Sequence, residues 1–155
     1  MRLEKGNKMK EEYQKESYCI FYGWLILAAL ALLIYAVLED MHSFSDSAVH
    51  IGVICFVLLD LLFCLILIKD SIYWMAGISY ETAKNAGRAK RRKWELIHFV
   101  LFLTATAAYL YYCYGQHVVR MSGSIIDSMA AAALICAAGY LSGMLCGEIR
   151  NEHSR

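Results

Sequence analysis

Apolar residues gather into four unbroken runs, at 18–38, 48–68, 96–115 and 124–146, with polar stretches between them. A helix needs about 20 mostly apolar residues to cross a hydrocarbon layer of about 30 Å, and each run has that length. The pattern predicts an all-α integral membrane protein with four transmembrane helices. The polar stretches at 39–47 and 116–123 are short, which sets span 1 beside span 2 and span 3 beside span 4 as two antiparallel hairpins. A basic tail (1–17), a connector (69–95) and a second tail (147–155) lie outside the spans. The first run follows a basic segment, as a signal peptide would. It is longer than the apolar core of one and lacks a clean small-residue cleavage site, so it is expected to stay as an anchor.

Charge gives the four spans a direction. Arg2, Lys5, Lys8, Lys10 and Lys15 precede the first span, Lys69, Lys84, Arg88, Lys90, Arg91, Arg92 and Lys93 fall in the connector, and Arg150 and Arg155 follow the last span. Of the 15 basic residues only Arg120 lies elsewhere. Basic residues near span ends are retained on the cytoplasmic side, so both termini and the connector are expected in the cytoplasm. Tyr18, Tyr22, Trp24, Tyr73, Trp74 and Trp94 sit near that boundary and Tyr109, Tyr111, Tyr112 and Tyr114 near the outer one, as interfacial aromatics do. A composition of 59% hydrophobic and 19% charged residues excludes an ordinary soluble domain. A net charge of +1 gives no reason to expect a nucleic-acid partner. The expected location is the plasma membrane, and outer loops without cysteine fit a bacterial inner membrane.

Within the connector, Ser79 as N-cap, Glu81 in the first turn and Gly87 as terminator predict a helix of barely two turns. The cluster Arg88, Lys90, Arg91, Arg92 and Lys93 that follows suits anionic lipid headgroups, at about 1 kcal/mol per basic residue, or a cytoplasmic partner.

Polar residues inside the spans carry the most information. Asp60 lies in the middle of the second run, where a charged carboxylate costs at least about 2.5 kcal/mol, so it should face the bundle interior. Thr104 on span 3 and Tyr140 on span 4 lie at similar depth and are its expected partners. The three form either a proton- or cation-binding site or a hydrogen-bonded joint between helices. In span 4, Ser128, Ala132, Gly139, Gly143 and Gly147 fall near one face, with the glycines spaced four apart. Small residues let two helix backbones approach closely, either inside one bundle or between protomers.

Asp46, His50, His117 and Asp127 gather toward the outer side and have the ligand chemistry of a divalent metal, although they form no recognised ligand motif. Loop and helix-cap chemistry is the simpler account of them. The six cysteines contain no CxxC pair, which argues against a thiol oxidoreductase. Cys19, Cys64, Cys146 and His98 lie near the inner ends of different spans and could converge on a soft metal, but small apolar fillers are the simpler expectation.

Phosphate-loop, hydrolase-elbow, zinc-protease and kinase motifs are all missing, and no cofactor is implied. The chain reads as a small non-enzymatic membrane protein acting through helix association, as a homo-oligomer or as a subunit of a membrane complex. The alternative is an ion- or proton-coupled channel or exporter using Asp60.

Overall fold

The computed structural model describes residues 13–42, 47–75, 77–119 and 124–152, and all secondary structure among them is helical. The elements are α1 (Tyr18–His42), α2 (Ser47–Lys69), a 3-10 turn (Ile72–Trp74), α3 (Tyr80–Ala86), α4 (Arg88–Val119) and α5 (Ser124–Glu152). All but the turn and α3 are long and apolar enough to span a membrane.

Local chemistry explains where these elements stop and start. The apolar run of α2 ends at Asp70, which takes a left-handed conformation (φ 51°) while the Ser71 amide reaches back to the Ile66 carbonyl at 3.1 Å. That is a Schellman closure with aspartate in the place glycine usually fills. The Ser79 hydroxyl accepts from the Thr82 amide at 3.0 Å to start α3, and Gly87 ends it at φ 75°, as the cap residues predict. Beyond Gly87 the basic stretch is already helical, so α4 begins eight residues before the apolar run at 96. Lys, Arg, Ala and Glu are strong helix formers and need no bilayer to continue the helix.

Helices α2, α4 and α5 pack against one another, with α2 on α4 the most extensive contact. The pairings Phe56–Tyr109, Phe63–Phe102 and Asp70–Arg91 run in opposite directions along α2 and α4. Large rings from α2 and α4 share one buried core with Ala131, Ala138 and Cys146 of α5, and Ser142 on the same helix is buried too. Such size matching supports van der Waals contact, the main attraction between helices that lipid already solvates. Gly52 belongs to the same fit: any Cβ there would overlap the Tyr109 ring. By contrast α1 touches α2 at few points; 6% of its span is buried, against at least 22% in the others.

Candidate functional site in the bundle interior

At the end of the bundle that carries the connector, Asp70 and Arg91 form a two-pronged ion pair, Nε–Oδ1 2.9 Å and Nη2–Oδ2 2.7 Å. Arg91 is buried, donates also to the Ala83 carbonyl at 3.3 Å, and lies over the Tyr13 ring at 3.7 Å. Aspartate at a helix C-terminus and arginine at a helix N-terminus both oppose the helix dipoles, and each neutralises the other. Residues 13–16 are strapped over this pair. Tyr13 donates to the Asp70 carbonyl (2.7 Å), Tyr80 to the Tyr13 carbonyl (2.7 Å) and Tyr73 to the Glu16 carbonyl (2.8 Å). Burial and the nearby Asp70 carboxylate push the Tyr13 phenol above its ordinary pKa, with Arg91 opposing, so it stays a donor. Burial raises that of Tyr73 as well.

One turn further along α4 lies Glu95, 1% exposed, with neither carboxylate oxygen hydrogen-bonded. Asp70 and the Ile72 amide are near it and stop short of ordinary hydrogen-bond geometry. Next comes His98, also 1% exposed. Its Nδ1 sits 2.7 Å from the Trp94 carbonyl, which can only accept, so in the neutral ring Nδ1 carries the hydrogen. Nε2 then faces the Cys146 thiol of α5 at 3.6 Å.

Deeper in the bundle, Asp60 Oδ2 accepts from the Thr106 hydroxyl at 2.8 Å, while Oδ1 is buried and unpartnered. The expected partners are corrected here. Thr104 is exposed and turns back to the Val100 carbonyl (2.7 Å), and Tyr140 is 70% exposed. The reason is rotation: two residues along a helix turn a side chain through about 200°. Thr104 is thereby carried off the Phe102–Thr106–Tyr109 face of α4, and Tyr140 off the Ala138–Ser142 face of α5.

Toward the opposite end, Tyr109 is completely buried and its hydroxyl has no hydrogen-bond partner, although Cys113 lies beside it. Tyr112 donates to Asp127 Oδ1 at 3.0 Å, and Asp127 is 4% exposed in the first turn of α5. Of the four residues with metal-ligand chemistry at the outer side, two have described side chains. Asp127 is engaged by Tyr112, His50 is exposed with its ring near Tyr35, and Asp46 and the His117 side chain lie outside the described residues. Among the described residues no three His, Cys, Asp or Glu side chains are placed to hold a metal. Cys19 is exposed and does not join the His98–Cys146 contact.

Of the basic cluster, Arg88, Lys90, Arg92 and Lys93 are exposed, but Arg91 is not a surface charge. Arg92 donates to the Leu67 carbonyl at 2.7 Å, and Lys90 lies 5.3 Å from the Trp94 ring centre. On α5, Ser128, Ala132, Gly139 and Gly143 are exposed and Gly147 half-buried. A Cβ added at Gly139, Gly143 or Gly147 would meet nothing within 4 Å. The small face that packs inside the protomer is a different one, Ala131–Ala138–Ser142–Cys146.

Glu95, Asp70, Thr106 and Tyr13 went unnoticed in the sequence. One signal for Glu95 and Thr106 was present: the stripe His98–Phe102–Ala105–Tyr109 repeats every three to four residues, Glu95 lies three residues before its start, and Thr106 falls within it four residues after Phe102. Asp70 and Tyr13 gave no such signal, because their partners lie 21 residues or more away in the chain.

The fold and this interior define a multi-pass, all-helical membrane protein. No protein-family model matches the chain, and no curated protein or solved structure matches it either.

Proposed function

We propose that this protein is a small, non-enzymatic plasma-membrane protein that works by helix association along α5, as a homo-oligomer or as a subunit of a larger membrane complex. One observation carries the reading: beside Gly139, Gly143 and Gly147 the protomer leaves open space, while its own core uses another face of the same helix. Glycines four apart lower the surface along one side of a helix, so that a second backbone can lie close against it. The distribution of Lys and Arg supports cytoplasmic termini and connector, and exposed Arg88, Lys90, Arg92 and Lys93 suit anionic headgroups or a cytoplasmic partner.

A second reading, an ion- or proton-coupled channel or exporter, is favoured by one specific observation, the buried and unpartnered Oδ1 of Asp60. Intramembrane carboxylates face the bundle interior and mark ion and proton pathways. Replacement of Asp60 by Asn separates the two readings, with assembly read by mass and flux by proteoliposome assay. Unchanged assembly and no flux in either protein supports association alone. Unchanged assembly with flux lost in the variant supports transport, and lost assembly with no flux in either protein makes Asp60 a joint between helices.

A further inference from the structure

Buried polar groups without partners are uncommon in folded proteins, and each calls for an explanation. Among the described residues they belong to Glu95, Asp60 and Tyr109, which follow one another along the contact between α2 and α4, and to Trp74 in the 3-10 turn. Along the inner face of α4, Glu95 and His98 lie toward the connector end and Thr106, bonded to Asp60, lies beyond them. The carboxylate atoms among them are both Glu95 oxygens and Asp60 Oδ1, on either side of one apolar step. That step is the Phe63–Phe102 pair, stacked with ring centres 4.2 Å apart. Glu95 and Thr106 are eleven residues apart, or about 16 Å along the helix axis, too far for a proton to pass directly.

We propose that the inner face of α4 carries a proton relay through the protomer, with Glu95 and Asp60 as proton-accepting stations on either side of a gate formed by Phe63 and Phe102. The proposal rests on the transport reading of Asp60 and supplies its cargo and its second carboxylate. A proton taken up from the connector side binds a Glu95 oxygen. When the two rings part, it crosses on water to Asp60; Asp60 then gives it up toward the Tyr109 end of the bundle, to water at the far face, and is restored as the carboxylate, so that each station gains and loses one proton and no other bond changes. Asp70, Arg91, Arg92 and Tyr13 are the charged and titratable groups around Glu95. Asp70 is occupied by Arg91, which leaves Glu95 as the carboxylate there free to exchange a proton. At the far station Thr106 donates to Asp60. His98, whose Nδ1 is tied to Trp94, presents Nε2 next to the path.

The test is proton uptake into liposomes containing the full chain, driven by a potassium diffusion potential and read with a trapped pH-sensitive dye. Wild type should pass protons, Phe102→Ala should pass them faster, and Glu95→Gln and Asp60→Asn should each lower the flux at least about tenfold in either background. Glu95→Asp, which keeps the carboxylate, should restore most of it. Flux that Asp60→Asn removes and Glu95→Gln leaves intact would overturn the relay while keeping the transport reading. No flux from wild type or from Phe102→Ala would overturn both. Phe102→Ala alters no charge, so it decides the matter even where Glu95→Gln fails to fold.

Discussion

Arg91 stands in a basic cluster that looks solvated in the sequence, yet it is the one member withdrawn from the surface, by Asp70, Ala83 and the Tyr13 ring. Removing one partner of a buried ion pair leaves the other uncompensated, which costs about 3 kcal/mol or more. Asp70→Asn keeps a side chain that tolerates the left-handed conformation and removes only the charge. Its unfolding in mixed micelles should show that loss, and the double variant Asp70→Asn/Arg91→Met should recover part of it. Equal stability of Asp70→Asn and wild type would show that the pair is not structural. At this scale the burial of Asp60 was legible in the sequence and the direction of its partners was not. Asp60 was recognisable as inward-facing because charge in a bilayer has no other low-energy place. Its partner was misassigned to Thr104 rather than Thr106 because depth is read from a count along the chain, whereas facing depends on rotation about the helix axis.

At the scale of elements, the helices begin and end where physical reasons for doing so are visible. The starts of α1 and α5 coincide with the apolar runs, and that of α2 falls one residue early, since backbone without hydrogen bonds is excluded from lipid and the helix must cover the run. The start of α4 was less legible: its basic first turns resemble a loop by composition and a helix by propensity, and propensity prevails. The 3-10 turn Ile72–Trp74 left no periodic trace because three residues are too few to show one. The contact between α2 and α4 depends on Gly52, against which the hydroxyl end of the Tyr109 ring packs. Gly52→Ala should therefore destabilise the bundle by about 1–3 kcal/mol, the usual cost of overpacking a core. Gly115→Ala, with nothing within 4 Å of an added Cβ, is the matched control and should be near neutral. Thermal unfolding of the two side by side checks the assignment, and similar melting of both would contradict it.

For the whole molecule, the protomer is a three-helix core of α2, α4 and α5 with α1 at its margin, rather than a symmetrical four-helix bundle. The number of spans was readable from apolar length alone, but how closely each is held was not, because lipid-facing and helix-facing residues are equally apolar. The same ambiguity applied to α5, which has two small-residue faces. The structure uses Ala131, Ala138, Ser142 and Cys146 internally and leaves Gly139, Gly143 and Gly147 uncovered. Helix association through that open face is the central claim, and native mass spectrometry of the protein released from its own membrane tests it most directly. Wild type should appear at a single mass above that of one chain, and Gly139→Leu/Gly143→Leu, with room for both side chains in the protomer, should appear as a folded single chain. A wild type that is itself a bare single chain, or a variant that assembles as well as wild type, would contradict the claim.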